Sequence, residues 1–158
     1  MAKLIDTKGK KIIALNKRAG HEYYLEERFE AGLELQGWEV KSLREGRAQI
    51  TDSYVIFKGG EAFVLGMNIT PLSNVPNHIH ASPDRTRKLL LHKKELNHLT
   101  GCKERKGFAI IATALYWKKN RAKLEVALGK GKKLHDKRAT QKDQDWERQK
   151  QRLLRDKG

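Results

Sequence analysis

The 158-residue chain holds a single cysteine, Cys102. No intramolecular disulfide and no cysteine-rich metal site can therefore form. Long apolar runs are also missing. The longest, Phe108 to Trp117, is interrupted by Thr113 and is too short to span a bilayer. Met1 to Asp6 has basic residues nearby but no apolar stretch behind them, so nothing argues for export. The expectation is a soluble cytoplasmic protein with no membrane partner. Acidic residues are scarce: 19 Asp and Glu face 34 Lys and Arg, a formal net charge of +15. That balance speaks to partners and association rate rather than to fold, and it points first to nucleic acid. A hydrophobic fraction of 38% suffices for one small core if it is gathered in part of the chain.

The chain changes character near Gly129. Residues 130–158 carry eleven Lys or Arg and five Asp or Glu, with only Leu134, Ala139, Trp146, Leu153 and Leu154 apolar. Such a segment cannot bury enough surface to offset its ordering entropy, so it is expected to be disordered when free. It nonetheless has helical potential, because Asp136 to Lys157 contains no Gly or Pro. On a helix Trp146, Leu153 and Gln149 or Lys150 fall along one side, with Gly131 as a hinge at the base. The division is thus a folded body, 1–129, and a basic tail, 130–158. Neither part shows an internal repeat or a low-complexity tract.

The body reads mostly as strands. Ile12 to Leu15 is a short apolar run. Odd positions from Tyr23 to Leu35 are apolar apart from Glu27, a period of two that predicts a long strand bent at Gly32. Tyr54 to Phe57, Gly59-Gly60 and Ala62 to Leu65 form a hairpin signal. Phe108 to Trp117 reads as a buried strand, turned at Asn120 into an alternating partner from Ala122 to Leu128. Trp38 to Leu43 reads as a short helix, and Thr86 to Leu99 as a longer one closed by Gly101. About six strands with accessory helices suggest a mainly β protein built as a small closed barrel. Strand count alone does not identify an OB-fold.

Catalytic and metal chemistry have little to stand on. His78 and His80 could share one strand face, but no second cluster at ligand spacing accompanies them. The glycines form neither a P-loop nor a dinucleotide fingerprint. Glu26, Glu27 and Glu30 sit among basic residues, where charge balance explains them about as well as acid–base work. No catalytic residue, metal or cofactor is expected. The basic residues instead come in three groups: Asn16-Lys17-Arg18, Arg85 to Lys88, and Lys130 with Lys132 and Lys133. Placed at the start of a helix, Arg85 to Lys88 would suit phosphate. A solvated charged face is the plainer reading of any one group. Tyr23, Tyr24 and Trp38 are candidates for either core or base-stacking platform. Trp146 stands in a segment with almost nothing to pack against, which suits an anchor buried only on binding.

Taken in order, several segments resemble one family. They are Asn16 to Ala19, Phe29 to Gly32, Gly37 to Arg44, Asp52-Ser53-Tyr54, Asn68 to Pro71, Arg85 to Leu91, Tyr116-Trp117, Lys130 to Lys133 and His135 to Arg138. Together they are similar to the signature of the SmpB (small protein B) family over nearly the whole chain. The resemblance implies an OB-fold barrel that binds the tRNA-like domain of transfer-messenger RNA and carries no activity of its own. It implies delivery to the A site of a stalled ribosome, where the tail becomes helical in the 16S rRNA decoding centre and vacant mRNA channel. Elongation factor Tu is a further candidate partner in the delivered complex. For RNA binding it implies Glu30, Leu90 and Lys123 alongside Asn16, Lys17 and Arg18, to which the basic residues Lys41, Arg85, Arg87 and Lys88 are added as candidates. For the ribosome it implies Lys130, Lys132, Lys133, His135, Asp136, Lys137, Arg138, Trp146, Leu153 and Leu154. Two rivals stand beside this reading: a general RNA chaperone, and an RNA-processing enzyme using the glutamates or His21.

Overall fold

The computed structural model describes residues 9–156, and in the last helix leaves aside the side chains of 134–137, 139–140 and 153–156. Strand β1 spans Lys10–Leu15, helix α1 Ala19–Glu22, β2 Tyr23–Leu33 and α2 Gly37–Arg44. Then come β3 Ala48–Gln49, β4 Tyr54–Lys58, β5 Glu61–Leu65, β6 Asn68–Ile69 and β7 Arg87–Leu90. Helix α3 Lys93–Lys106, the long strands β8 Ala109–Lys118 and β9 Arg121–Gly131, and helix α4 Leu134–Asp156 complete the chain. The protein is mainly β with accessory helices.

Seven strands hydrogen-bond in the order β1-β8-β4-β5-β7-β2-β9, and β9 also pairs with β8, so the pairing returns on itself. All ladders are antiparallel. The two tight turns have the same physical origin. Gly59 and Gly60, at φ +60 and +75, join β4 to β5. Lys119 and Asn120, at φ 50 and 62, join β8 to β9. Both are two-residue turns with positive φ at each centre, whose twist matches that of paired strands. The ring is filled by Ala31, Val55, Val64, Leu115, Leu124 and Val126 among others, all buried. Helix α2 adds Trp38 and Leu43 to that core, and α3 adds Leu99 and Cys102.

Two elements differ from the sequence expectation. Thr86 to Leu99 is not one helix: β7 comes first, and α3 starts only at Lys93. Leu89, Leu90, Leu96 and Leu99 fit helical spacing, but Arg87 and Leu89 alternate inward as in a strand while Leu90 stays exposed. Gly101 lies inside α3, and Gly107, at φ +69, closes it by donating its N–H to the Cys102 carbonyl. The loop between Ile69 and Arg87 contains no strand, so His78 and His80 do not share a strand face. Strand β9 also runs past Gly129 to Gly131, because Lys130 and Gly131 still pair with Tyr24 and Tyr23. The long β2, the two hairpins and the short α2 stand where the sequence put them, though β2 ends at Leu33 and its irregularity lies between Leu25 and Arg28.

Candidate nucleic-acid interface

Cross-strand register sets the outer face of the sheet. Gly32 pairs with Leu90 on one side and Lys123 on the other, and Lys123 pairs in turn with Tyr116. Paired residues share a face, so Leu90 and Lys123 stand roughly 10 Å apart across β2, with only a glycine between them. A side chain at Gly32 would be crowded, since a Cβ there would sit 3.2 Å from Leu90 Cβ. Leu90 is 52% exposed, a large aliphatic side chain left on a polar surface.

Glu30 lies on the same face, two residues along β2. Its carboxylate accepts a hydrogen bond from the Tyr116 hydroxyl at 2.5 Å and lies 3.4 Å from Lys118 Nζ. Burial pushes the Glu30 carboxyl up. The Tyr116 hydrogen bond and the charges of Lys118 and Lys10 outweigh it and hold the group below the ordinary carboxylate range. Burial, followed by the adjacent Glu30 carboxylate, pushes the Tyr116 phenol well above its usual value, so it stays a donor. Lys10 Nζ covers the Tyr116 ring, 4.8 Å from its centroid. Glu30 thus holds a basic residue in place. Beside it, Glu125 accepts from Arg28 at 3.1 Å and from the Thr113 hydroxyl at 2.6 Å.

Three of the sequence candidates turn inward or are tied down. Arg87 is fully buried: it pairs with Glu39 of α2, donates to the Met67 carbonyl at 2.7 Å and to the Pro83 carbonyl at 3.0 Å. None of it is exposed to solvent. Arg85 holds the other Glu39 oxygen at 2.6 Å, and Gln36 donates its backbone N–H to that same oxygen at 2.7 Å. Because Arg85 to Lys88 lead into a strand, the phosphate site at a helix start does not exist. Lys88 stays half-exposed, 3.1 Å from Glu61. Asn16 is buried as well. Its side-chain amide donates to the Ala112 carbonyl and its backbone N–H to the Thr113 carbonyl, fixing the end of β1 onto β8. Lys17, Arg18 and Lys41 are exposed.

The tail is tied to the body at its root. Lys132 donates its backbone N–H to the Glu22 carbonyl and its ammonium to the Gly20 carbonyl, while that ammonium lies 4.9 Å from the Tyr24 ring centroid. Lys130, Lys133 and Arg138 are exposed. Trp146 is 53% exposed on α4, with Lys150 Nζ 5.6 Å from its ring. The side chains of His135, Asp136, Lys137, Leu153 and Leu154 lie outside the described ones. Trp38 belongs to the core, whereas Tyr24 and Tyr54 are 47% and 46% exposed. Sequence reasoning missed Tyr116, Lys118 and Lys10 as partners of Glu30. Strand geometry alone, residues two apart along β8, could have placed Tyr116 and Lys118 on one face. Among the described residues no group of three or more His, Cys, Asp or Glu could hold a metal ion, and no helix is long and apolar enough to cross a membrane.

Fold and surface together define a class: a small basic β protein with cations and exposed rings on its outer face and a charged helix at its end. The chain belongs to the SmpB family, whose model, described as SmpB protein, matches residues 13–156. It is 59% identical over 145 residues to an SsrA-binding protein of Stenotrophomonas maltophilia K279a, covering 92% of this chain and 87% of the relative. An SsrA-binding protein of Coxiella burnetii Dugway 5J108-111 is 55% identical over 146 residues, 92% of each chain. A solved structure described as "tmRNA-SmpB: a journey to the center of the bacterial ribosome" aligns at a TM-score of 0.63 and 40% identity. That alignment covers 76% of this chain and 84% of the other.

Proposed function

We propose that this protein binds the tRNA-like domain of transfer-messenger RNA and delivers it to stalled ribosomes for trans-translation. The observation that carries the reading is the row Leu90–Gly32–Lys123 on the outer face, beside the Glu30–Tyr116–Lys118 cluster, in a chain of the SmpB family. An exposed aliphatic side chain packs on an unstacked base or ribose, and the flanking cations meet phosphate. The ring of paired strands is taken as an OB-type barrel, the family's expected scaffold. Lys17, Arg18, Lys41 and Lys88 extend the interface, while Asn16, Arg85 and Arg87 support it from within. The protein acts by binding, with no covalent change to the RNA, and works in the cytoplasm; elongation factor Tu joins the delivered complex.

The body and the tail have separate duties, and the body extends to the end of β9. Helix α4 enters the decoding centre and the empty mRNA channel, using Lys130, Lys132, Lys133, His135 to Arg138, Trp146 and the Leu153-Leu154 pair. Truncation after Lys133 should leave affinity for transfer-messenger RNA nearly intact and abolish peptide tagging on ribosomes stalled without a stop codon. Loss of RNA binding in the truncated protein would refute the division. Equal affinity of the full chain for unrelated structured RNAs would favour the general chaperone instead.

A further inference from the structure

A concavity opens at the turn between β8 and β9. This cleft of about 880 Å³ is lined by Lys10, Lys11, Arg44, Lys119, Asn120 and the half-buried ring of Trp117, with no carboxylate among the described residues that line it. The ion pairs among the described residues leave out Lys11, Arg44 and Lys119. Like charges gathered in a hollow repel one another, and an anion in the hollow relieves that repulsion. The turn supplies an independent sign. Lys119 sits at φ 50, a conformation that glycine or asparagine adopts with less strain than lysine. Strain of this kind persists where a side chain is needed in that place.

We infer that this cleft is a nucleotide subsite, in which Lys11, Arg44 and Lys119 hold RNA phosphates while an unpaired base lies against Trp117. The inference rests on the RNA-binding reading above and extends it. Lys10 lines the cleft and also covers Tyr116, so the RNA path runs from the Leu90–Lys123 row over Lys10 into the hollow. The aromatic floor separates this site from one for a simple anion, because stacking needs a base.

The test compares the full chain with a Lys11→Gln/Arg44→Gln/Lys119→Gln variant for binding to transfer-messenger RNA over a range of salt. Affinity should fall about tenfold or more, and the log–log salt slope should flatten by roughly 0.7 for each phosphate that the variant no longer neutralises. The melting temperature should not fall. Unchanged affinity and slope would overturn the subsite. A second measurement isolates Trp117 emission as the difference between a Trp146→Phe chain and a Trp117→Phe/Trp146→Phe chain, which share the core Trp38. A short oligoriboadenylate should quench it, whereas inorganic polyphosphate of matched charge should not. Equal responses to the two would mean a polyanion patch without base recognition, and the nucleotide assignment would be wrong. If the unmodified chain showed no preference for transfer-messenger RNA yet the oligoriboadenylate still quenched Trp117, the parent reading would fail and the subsite would stand.

Discussion

Arg87 keeps a positive charge where solvent does not reach, and its partner Glu39 is equally buried. Burial pushes the Glu39 carboxyl up, but hydrogen bonds from Arg85, the Gln36 backbone and Arg87 more than reverse this and leave it below the ordinary range. Removing one partner of a buried pair strands the other charge. Glu39→Gln should therefore cost about 3–5 kcal/mol, read from the urea midpoint with the slope unchanged. The sign of the pH dependence follows from the lowered folded pKa values of Glu39 and Glu30. Their contribution is full above the ordinary value of 4.5 and is lost as pH falls through the folded values. Thermal melts below pH 4.5 should show that loss, and a Glu39→Gln variant should show less of it. Lys119→Gly should do the opposite, raising stability by up to about 1 kcal/mol while weakening RNA binding. What the sequence could not reveal at this scale was direction. Arg85, Arg87 and Lys88 read alike as letters, yet one is buried, one is tied to Glu39 and one is half-exposed, because strand alternation and a distant glutamate decide their roles.

Among the elements, strands with clear apolar patterns and turn residues were legible before any coordinates. Strand β2 follows from alternation, the β4–β5 hairpin from two apolar runs around Gly59-Gly60, and the β8–β9 hairpin from a buried run turned at Asn120 into an alternating partner. Strand β7 was not legible, since Leu89, Leu90, Leu96 and Leu99 satisfy helical spacing whether they lie on one element or two. The two-residue strands β3 and β6 leave no periodic trace at all. Glu30 was legible as a candidate, but the Tyr116 and Lys118 that hold it come from a strand almost ninety residues away, |i−j| being 86 and 88. Pairing across such distances is not written in any local window. Helix α4 carries the tail's helical potential and touches the body at α1, yet its Trp146 is 53% exposed. A helix with little tertiary packing is marginal in water. A peptide of residues 132–158 should thus show weak helical circular dichroism alone and gain helicity with ribosomes. Strong helicity of the free peptide would remove the proposed folding on binding.

Over the whole molecule, a net charge of +15 is shared between an outer face, a hollow at the β8–β9 turn and a terminal helix. Binding through all of these should depend steeply on salt, and separate substitutions in each region should flatten the slope by separate amounts. The closure of the strand ring has a further consequence, for the order in which the protein is made. Strand β9 is the last strand to leave the ribosome, and it is the one that joins β2 to β8. Arg28 waits 97 residues for Glu125. Until β9 is synthesised, the outer halves of β2 and β8 are bare edges open to wrong pairing. A nascent chain cut short before Arg121 therefore lacks the strand that completes its core, so only an intact message yields a working copy of this protein.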